Sequence, residues 1–468
     1  MGRRDKEFLE GVVIDGIASE GKAIAHINGK VLFVPHAIPG DVVDVQVNIK
    51  RKGYLEGYIV KMIKPSAQRI EPFCSHYSIC GGCKWQALPY QMQLEYKTQQ
   101  VKDQLTRIGK LILPEIPMAL SSLKITEYRN KLEYTFSNKR WLESRDELET
   151  LSDDDKNGLG FHISGYFDKV LDVKKCWLQP EPTNKIRLFV KEYALNNNFD
   201  FFDLRLQTGF LRNLIIRNTV DGDVMVIVVF AFESKNERVN LLNAIKNEFS
   251  EIVSLNYVIN GKKNDNISDL ECINYAGDDA IYEKMENLKF RIGPKSFFQT
   301  NSEQSYRLYS LARDFACLTG NEIVYDLYTG TGTIALFLAA QAKKVVGIEY
   351  VKEAIDDANI NAKNNNIGNV VFYAGDMKDV LNEEFIKKEG FPDVIILDPP
   401  RAGIHPDVAN VIVNASPSRV VYVSCNPATQ ARDLALISDY YDIVRVQPVD
   451  MFPHTHHVEN VVLLTKKI

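Results

Sequence analysis

Three short segments near the end of the chain carry the residue types of covalent chemistry. Asp398-Pro-Pro-Arg401 follows the apolar run VIIL, and Ser424-Cys425-Asn426-Pro427 follows VVYV. His454-Thr-His-His-Val-Glu459 stands just before the apolar run NVVLLT. Prolines directly after a strand hold an extended, rigid rim and cannot continue a helix. A thiolate is a nucleophile and a carboxylate a base. Cys425 and Glu459 therefore supply the two groups needed for covalent addition followed by proton removal. Asp398 is placed to orient the base or one end of a cofactor. Each residue also has a plainer reading. Free cysteine is among the most buried residue types, Glu459 alone is an acid at a strand start, and the histidines suit a surface cluster or metal ligands. Their company at successive strand ends lifts them above those readings.

A second set points to a cofactor. Asp326-Leu-Tyr-Thr-Gly-Thr-Gly-Thr333 lies between a strand and the apolar helix IALFLAA. Two glycines permit a tight turn and a close backbone approach to a ligand. The pattern lacks the third glycine of the dinucleotide fingerprint. Glu349 ends the next strand, where an acid can hydrogen-bond a ribose diol, and Asp376 ends another. Open α/β sheets take ligands at the carboxyl ends of their strands. Acids in this order, with no pyrophosphate cradle, suit S-adenosylmethionine better than NAD.

A third set is Cys74-x5-Cys80-Gly-Gly-Cys83 with Cys176 far downstream. Four thiolates can hold zinc or an iron–sulfur cluster, and spacing alone leaves the two open. Cys272 and Cys317 stand outside any motif and read as core.

The elements that must position these residues follow a change of pattern along the chain. Residues 8–62 read as short strands with Gly and Pro punctuation, the spacing of a small OB-like β-barrel. Tyr90–Ile108 has a helical pattern with polar faces. Residues 125–295 read as a β-rich α+β domain. Within it, Trp141–Lys156 holds seven acids (Glu143, Asp146, Glu147, Glu149, Asp153, Asp154 and Asp155) and reads as a solvated insert. From about residue 296 apolar strands alternate with helices, which predicts a doubly wound, Rossmann-like parallel sheet.

Bulk properties set the outer bounds. A length of 468 residues suggests two or three domains. No 18-residue apolar stretch predicts a membrane span, and the first residues lack the apolar core of a secretory signal. Seven cysteines in this length do not form a disulfide framework and suit a reducing cytoplasm. The net charge of −5 hides an asymmetry. Residues 1–110 hold 16 Lys/Arg against 11 Asp/Glu, a front that can meet phosphates or simply be solvated.

DLYTGTG, LDPPRAG, SCNPAT and HTHHVE, with Phe297-Phe-Gln-Thr-Asn301 ahead of them, closely resemble the RNA uracil-5-methyltransferase family over nearly the whole chain. The N-terminal part resembles a TRAM domain, the accessory RNA-binding barrel of these enzymes. The resemblance implies a thiolate of Cys425 that adds to carbon-6 of a uridine, and Glu459 as the base that takes the carbon-5 proton. It implies S-adenosylmethionine contacts from Gln299, Tyr328, Thr333, Glu349, Asp376 and Asp398, with Thr333 standing where asparagine is common. Tyr128-Arg-Asn-Lys131 resembles a strand that meets RNA. The cysteines resemble the 4Fe–4S set of the ribosomal branch, with Cys74, Cys80, Cys83 and Cys176 as ligands in a structural or RNA-positioning role. TRAM barrel and cysteines together favour large-subunit (23S) ribosomal RNA. A transfer-RNA uridine methyltransferase and a catalytically idle RNA-binding assembly factor are the alternatives. The expected division is residues 1–64 for the barrel, 65–84 and 125–295 for the central domain, and 85–124 with 296–468 for the catalytic domain. The expected molecule is a cytoplasmic monomer with no obligate protein partner and no membrane contact.

Overall fold

The computed structural model describes residues 7–18, 20–142, 152 and 156–468. The acidic stretch lies outside the described residues in all seven of its acids.

The chain opens with β1 (Phe8–Val13), β2 (Gly16–Ile17), β3 (Ala23–Ile27), β4 (Lys30–Val34), β5 (Val42–Lys50) and β6 (Tyr54–Lys64). They form one sheet in the order β1-β5-β6-β4-β3-β2. Strict alternation in β5 turns Val43, Val45 and Val47 inward. There they meet Val12, Ala25, Leu32, Val34 and Leu55 in a core of their own. Buried Asp41 ties the sheet to the segment that leaves it. It accepts from the Ile38 and Ser66 amides at 2.8 and 2.9 Å and from Arg69 Nη2 at 2.6 Å. Burial alone would raise its pKa, but Arg69 and the two amides hold it below the usual carboxylate range.

Helix α1 (Tyr90–Arg107) follows. It packs against elements from the far end of the chain, as described below. The central region holds β7 (Lys131–Ser137), β8 (Gly158–Ile163), β9 (Tyr166–Asp172), α2 (Thr183–Asn196), β10 (Leu211–Asn218), β11 (Val224–Phe230), α3 (Lys235–Glu248), β12 (Ile252–Ile259) and β13 (Ile273–Gly277). Its seven strands run in the order β13-β12-β11-β10-β7-β8-β9. The β11–β12 pair is parallel, and α3 makes that crossover. β11 is buried at every position. Val224, Val226, Val228 and Phe230 face α2 and α3. Met225, Ile227 and Val229 face the other way and join the core of the C-terminal region.

After the hairpin β14 (Ile281–Met285) and β15 (Leu288–Ile292) the pattern alternates: α4 (Ser302–Ala316), β16 (Ile323–Leu327), α5 (Thr333–Ala339), β17 (Lys344–Glu349), α6 (Lys352–Asn364), β18 (Val370–Ala374), α7 (Met377–Val380), α8 (Glu383–Glu389), β19 (Val394–Leu397), α9 (Pro406–Ala415), β20 (Arg419–Ser424), α10 (Pro427–Ile437), β21 (Tyr441–Val449) and β22 (Glu459–Lys466). The sheet order is β18-β17-β16-β19-β20-β22-β21. Parallel pairing runs from β18 to β20, and β22 inserts antiparallel between β20 and β21. The direction of crossover reverses between β16 and β19, the place where such sheets open a ligand crevice. α1 packs against α10 and β21, and its Val101 and Leu105 join that face of the sheet. Multi-domain α/β architecture with a β-rich N-terminal part is therefore as expected. Among the described residues no helix is long and apolar enough to cross a membrane.

Candidate active site

The loop after β16 is shaped by backbone conformations that few residues accept. Tyr328, Gly330 and Gly332 all have positive φ, at 67, 55 and 77°. A Cβ on Gly332 would stand 2.9 Å from Ala358 Cβ and from Phe372 Cζ, so glycine is required there. A Cβ on Gly330 would meet nothing within 4 Å, so that side of the loop is open. Glu349, at the end of β17, accepts from the Gly330 amide at 3.1 Å and from the Val351 amide at 3.0 Å. Its carboxylate is thereby fixed beside the open face of the loop. Thr333 is buried at the start of α5, its hydroxyl 3.3 Å from that of Thr331. Asp376 caps α7, accepting from the Lys378 amide at 3.2 Å.

A line of carboxyl groups runs from this loop toward the thiol. Asp326 is fully buried and accepts from Thr329 Oγ1 at 2.5 Å, while its other oxygen has no partner. Burial raises it to about 7. Asp398 follows β19, its amide donating to Leu327 O, and burial and then Asp326 raise it to about 7. Glu459 is 6% exposed, and burial and then Asp398 raise it to about 8. Three neighbouring carboxyls cannot all ionise in so little water. A cation entering the crevice would lower all three.

The sheet brings the expected nucleophile and base together. Ser424 pairs with Asn460 across β20 and β22, so one step beyond the strand end Cys425 stands opposite Glu459. Cys425 is exposed at the mouth of the crevice. Packing on its inner side raises the thiol to about 11, followed by Glu459 and Asp398, against the pull of Arg401. The Ser-Cys-Asn-Pro motif has a local reason. Ser424 Oγ accepts from the Asn426 amide at 3.1 Å, Asn426 caps α10 by accepting from the Ala428 amide at 3.2 Å, and Pro427 fills the first helical turn. The cysteine is held on the corner between them. Asn426 Nδ2 and Thr429 Oγ1 both donate to Arg401 O at 3.2 Å, joining this corner to the Asp398 loop.

The histidines before Glu459 are poor bases here. Burial lowers His454 and His457 to about 4 and His456 to about 3. The rings of His456 and His457 lie 4.2 Å apart. The N-terminal sheet reaches this loop: a Cβ on Gly21 would stand 2.8 Å from His456 Cβ, and Trp85 Nε1 donates to Gly21 O at 3.0 Å.

Sequence reasoning missed Tyr309. It lies seven residues after Ser302 on α4 and is 5% exposed, the position of a core residue. Burial, and then Asp398, Asp326 and Glu459, hold its hydroxyl well above the ordinary phenol range, against the pull of the Gln299 side chain. Arg401 was visible only as the end of a motif.

Cys74, Cys80, Cys83 and Cys176 line one cavity of about 380 Å³, together with Arg129, Lys131 and Trp177. Burial raises Cys83 to about 12, with Cys176, Cys80 and Cys74 adding to it. The sequence expectation of four converging thiols holds to that extent. Among the described residues, however, no three His, Cys, Asp or Glu side chains gather closely enough to hold a metal ion.

Known proteins place this geometry. The profile of the tRNA (uracil-5-)-methyltransferase family matches residues 216–467, and that of the TRAM domain matches residues 11–60. A protein of Bacteroides thetaiotaomicron described as an uncharacterized RNA methyltransferase is 57% identical over 96% of this chain and 99% of its own length. The chain belongs to the tRNA (uracil-5-)-methyltransferase family. It is an S-adenosylmethionine-dependent RNA (uracil-C5) methyltransferase. Another family relative, from Porphyromonas gingivalis and described in the same words, is 54% identical over 97% of this chain and 99% of its own. Among solved structures, the Pyrococcus abyssi tRNA (uracil-54, C5)-methyltransferase in complex with S-adenosyl-L-homocysteine superposes with a TM-score of 0.76 at 28% identity, covering 98% of this chain and 100% of that one.

Proposed function

We propose that the enzyme methylates carbon-5 of a uridine in RNA through a covalent Cys425 adduct, with Glu459 as the base. The observation that carries this is the register of β20 and β22, which sets the two residues face to face at the carboxyl edge of the sheet. S-Adenosylmethionine, when bound, supplies an electrophilic methyl group. The glycine loop with its open face, the pinned carboxylate of Glu349 and the carboxyls awaiting a cation suit its nucleoside and sulfonium ends. Tyr328, Thr333, Glu349, Asp376, Asp398 and Gln299 would hold it. Cys425 as thiolate adds to carbon-6 of the uracil, and the ring carries the electron pair to carbon-5 and O4. Once carbon-5 is methylated, Glu459 takes the carbon-5 proton and the electrons expel the thiolate. A carboxyl raised toward neutrality is a stronger base than an ordinary one.

The test separates the two roles. Cys425→Ala is expected to abolish methylation while RNA and cofactor still bind. Glu459→Gln is expected to accumulate as a denaturation-resistant adduct with methylated RNA. RNA containing 5-fluorouridine is expected to trap the wild type in the same way, since fluorine cannot leave as a cation. Trapping by Cys425→Ala would show that the nucleophile is another residue. Turnover of Glu459→Gln at the wild-type rate would mean the same for the base.

The cysteine cavity is read as the seat of a structural 4Fe–4S cluster. Its support is the donor set alone: Cys74, Cys80, Cys83 and Cys176 line one cavity, and four thiolates suit such a cluster. Anaerobically purified protein is expected to be brown, with about four irons per chain. Stoichiometric zinc without sulfide would overturn this.

The proposed domains are residues 1–64, an OB-like RNA-binding barrel; 65–84 with 125–295; and 85–124 with 296–468. Large-subunit ribosomal RNA is the proposed substrate, met in the cytoplasm by a monomer. Transfer RNA is the second reading, supported by the Pyrococcus abyssi enzyme, which this chain covers along its entire length. Mapping 5-methyluridine in both RNAs from a deletion strain distinguishes them.

A further inference from the structure

The hairpin of β21 and β22 pairs Val449 with Glu459. Residues 450–458 close it, so their shape sets where the Glu459 carboxyl stands. The loop makes few bonds within itself. Phe452 N donates to Asp450 Oδ1 at 3.1 Å, Thr455 Oγ1 donates to Phe452 O at 2.8 Å, and His454 has a φ of 64°.

Asn301, Tyr128 and the Lys84 and Trp85 amides donate to the loop's Met451, Pro453 and His454 carbonyls, and the side chains that grip Asp450 and His454 come from one helix some 350 positions away. Lys97 Nζ is ion-paired with Asp450, neither side chain having any exposure, and donates to Phe452 O at 3.2 Å. Tyr90 Oη donates to Asp450 Oδ2 at 2.7 Å. Gln93 Oε1 accepts from the His454 amide at 2.8 Å. Gln93 Nε2 donates to Trp85 O and Leu88 O at 3.0 and 2.9 Å, and lies 3.2 Å from His454 Nδ1. Tyr90, Gln93 and Lys97 are spaced i, i+3, i+7, one stripe of α1. Gln93 and Lys97 have no exposure and Tyr90 is half-buried, yet the stripe is polar. A buried ion pair is seldom more stable than apolar residues of the same volume, so stability does not account for it. What it fixes is the geometry of the loop it grips.

We infer that Gln93 and Lys97 of α1 are positioning residues for Glu459, acting through the 450–458 loop; the inference rests on Glu459 as the base. They touch neither substrate nor cofactor. They hold the hairpin end so that the carboxyl meets the carbon-5 proton after methyl transfer. Formation of the thiol adduct depends on Cys425, on a different loop, and does not need them.

The test uses the full-length enzyme and an RNA that it methylates, tritiated at carbon-5 of uridine. First-turnover methyl transfer and tritium release are measured separately for Gln93→Met, Lys97→Met and the neutral pair Lys97→Met/Asp450→Asn, with Glu459→Gln alongside. The expected result is methyl transfer within about twofold of wild type, tritium release slower by about ten- to a hundredfold, and adduct accumulating. Should Lys97→Met fail to fold, the neutral pair and Gln93→Met carry the test. Folded variants that release tritium at the wild-type rate overturn the inference. So does a parallel fall of both steps, the mark of a merely structural role. Wild-type tritium release by Glu459→Gln instead removes the base assignment itself, and the inference with it.

Discussion

At the scale of single residues the site is built from acids that the fold holds against their preference. Glu459 is raised to about 8, so the folded protein binds its proton more tightly than the unfolded chain does. Stability is therefore full below the ordinary carboxylate range near 4 and is lost as pH rises toward 8. Glu459→Gln removes that loss. The variant is expected to melt with the wild type at pH 4 and roughly 5 °C above it at pH 9, read by thermal denaturation of the free protein. Equal melting temperatures at pH 9 would show that the carboxyl is well solvated. Cys425, Glu459 and Asp398 were legible in the sequence because each sits in a short motif at a strand end. Tyr309 was not, because its spacing on α4 is that of core residues and nothing local distinguishes a phenol aimed at acids from one packed on leucines. The four cysteines could be grouped from the sequence, but the cavity they line could not.

At the scale of elements, the turn from β16 into α5 depends on a residue without a side chain. Gly332→Ala forces a Cβ into the left-handed region, which costs about 1–2 kcal/mol, and against Ala358 and Phe372. The expected outcome is a melting temperature lower by several degrees and S-adenosylmethionine affinity at least about tenfold weaker by calorimetry. Unchanged affinity would place the cofactor away from this loop. The glycine pair announced the turn, and apolar β-branched runs announced the parallel strands. Helix α1 was expected as a helix with polar faces, and nothing in that pattern singled out Gln93 and Lys97. They are buried because the surface they meet, the loop from Asp450 to Val458, is itself polar. A pattern of apolar residues cannot reveal a polar interface whose partner lies elsewhere in the chain.

At the scale of the whole molecule, the cores are not distributed one to a domain. The N-terminal sheet closes around its own apolar residues, whereas the central sheet lends Met225, Ile227 and Val229 to the core of the catalytic sheet. The expected division interleaved the central and catalytic parts, but the order of predicted elements is silent on which faces they share. Calorimetry of the full-length protein is expected to show the central and catalytic parts melting in one transition, with any separate, smaller one assigned to the N-terminal sheet. Separate melting of the central part would show that the joint core carries little energy. The doubly buried strand β11 also limits how the protein can be cut. A fragment starting at residue 296 would leave the underside of the methyltransferase fold bare where β11 had covered it, and should precipitate. A fragment starting at residue 65 keeps that cover and should stay in solution. The methyltransferase fold is in this sense not a portable catalytic unit: the sheet next to it serves as its floor.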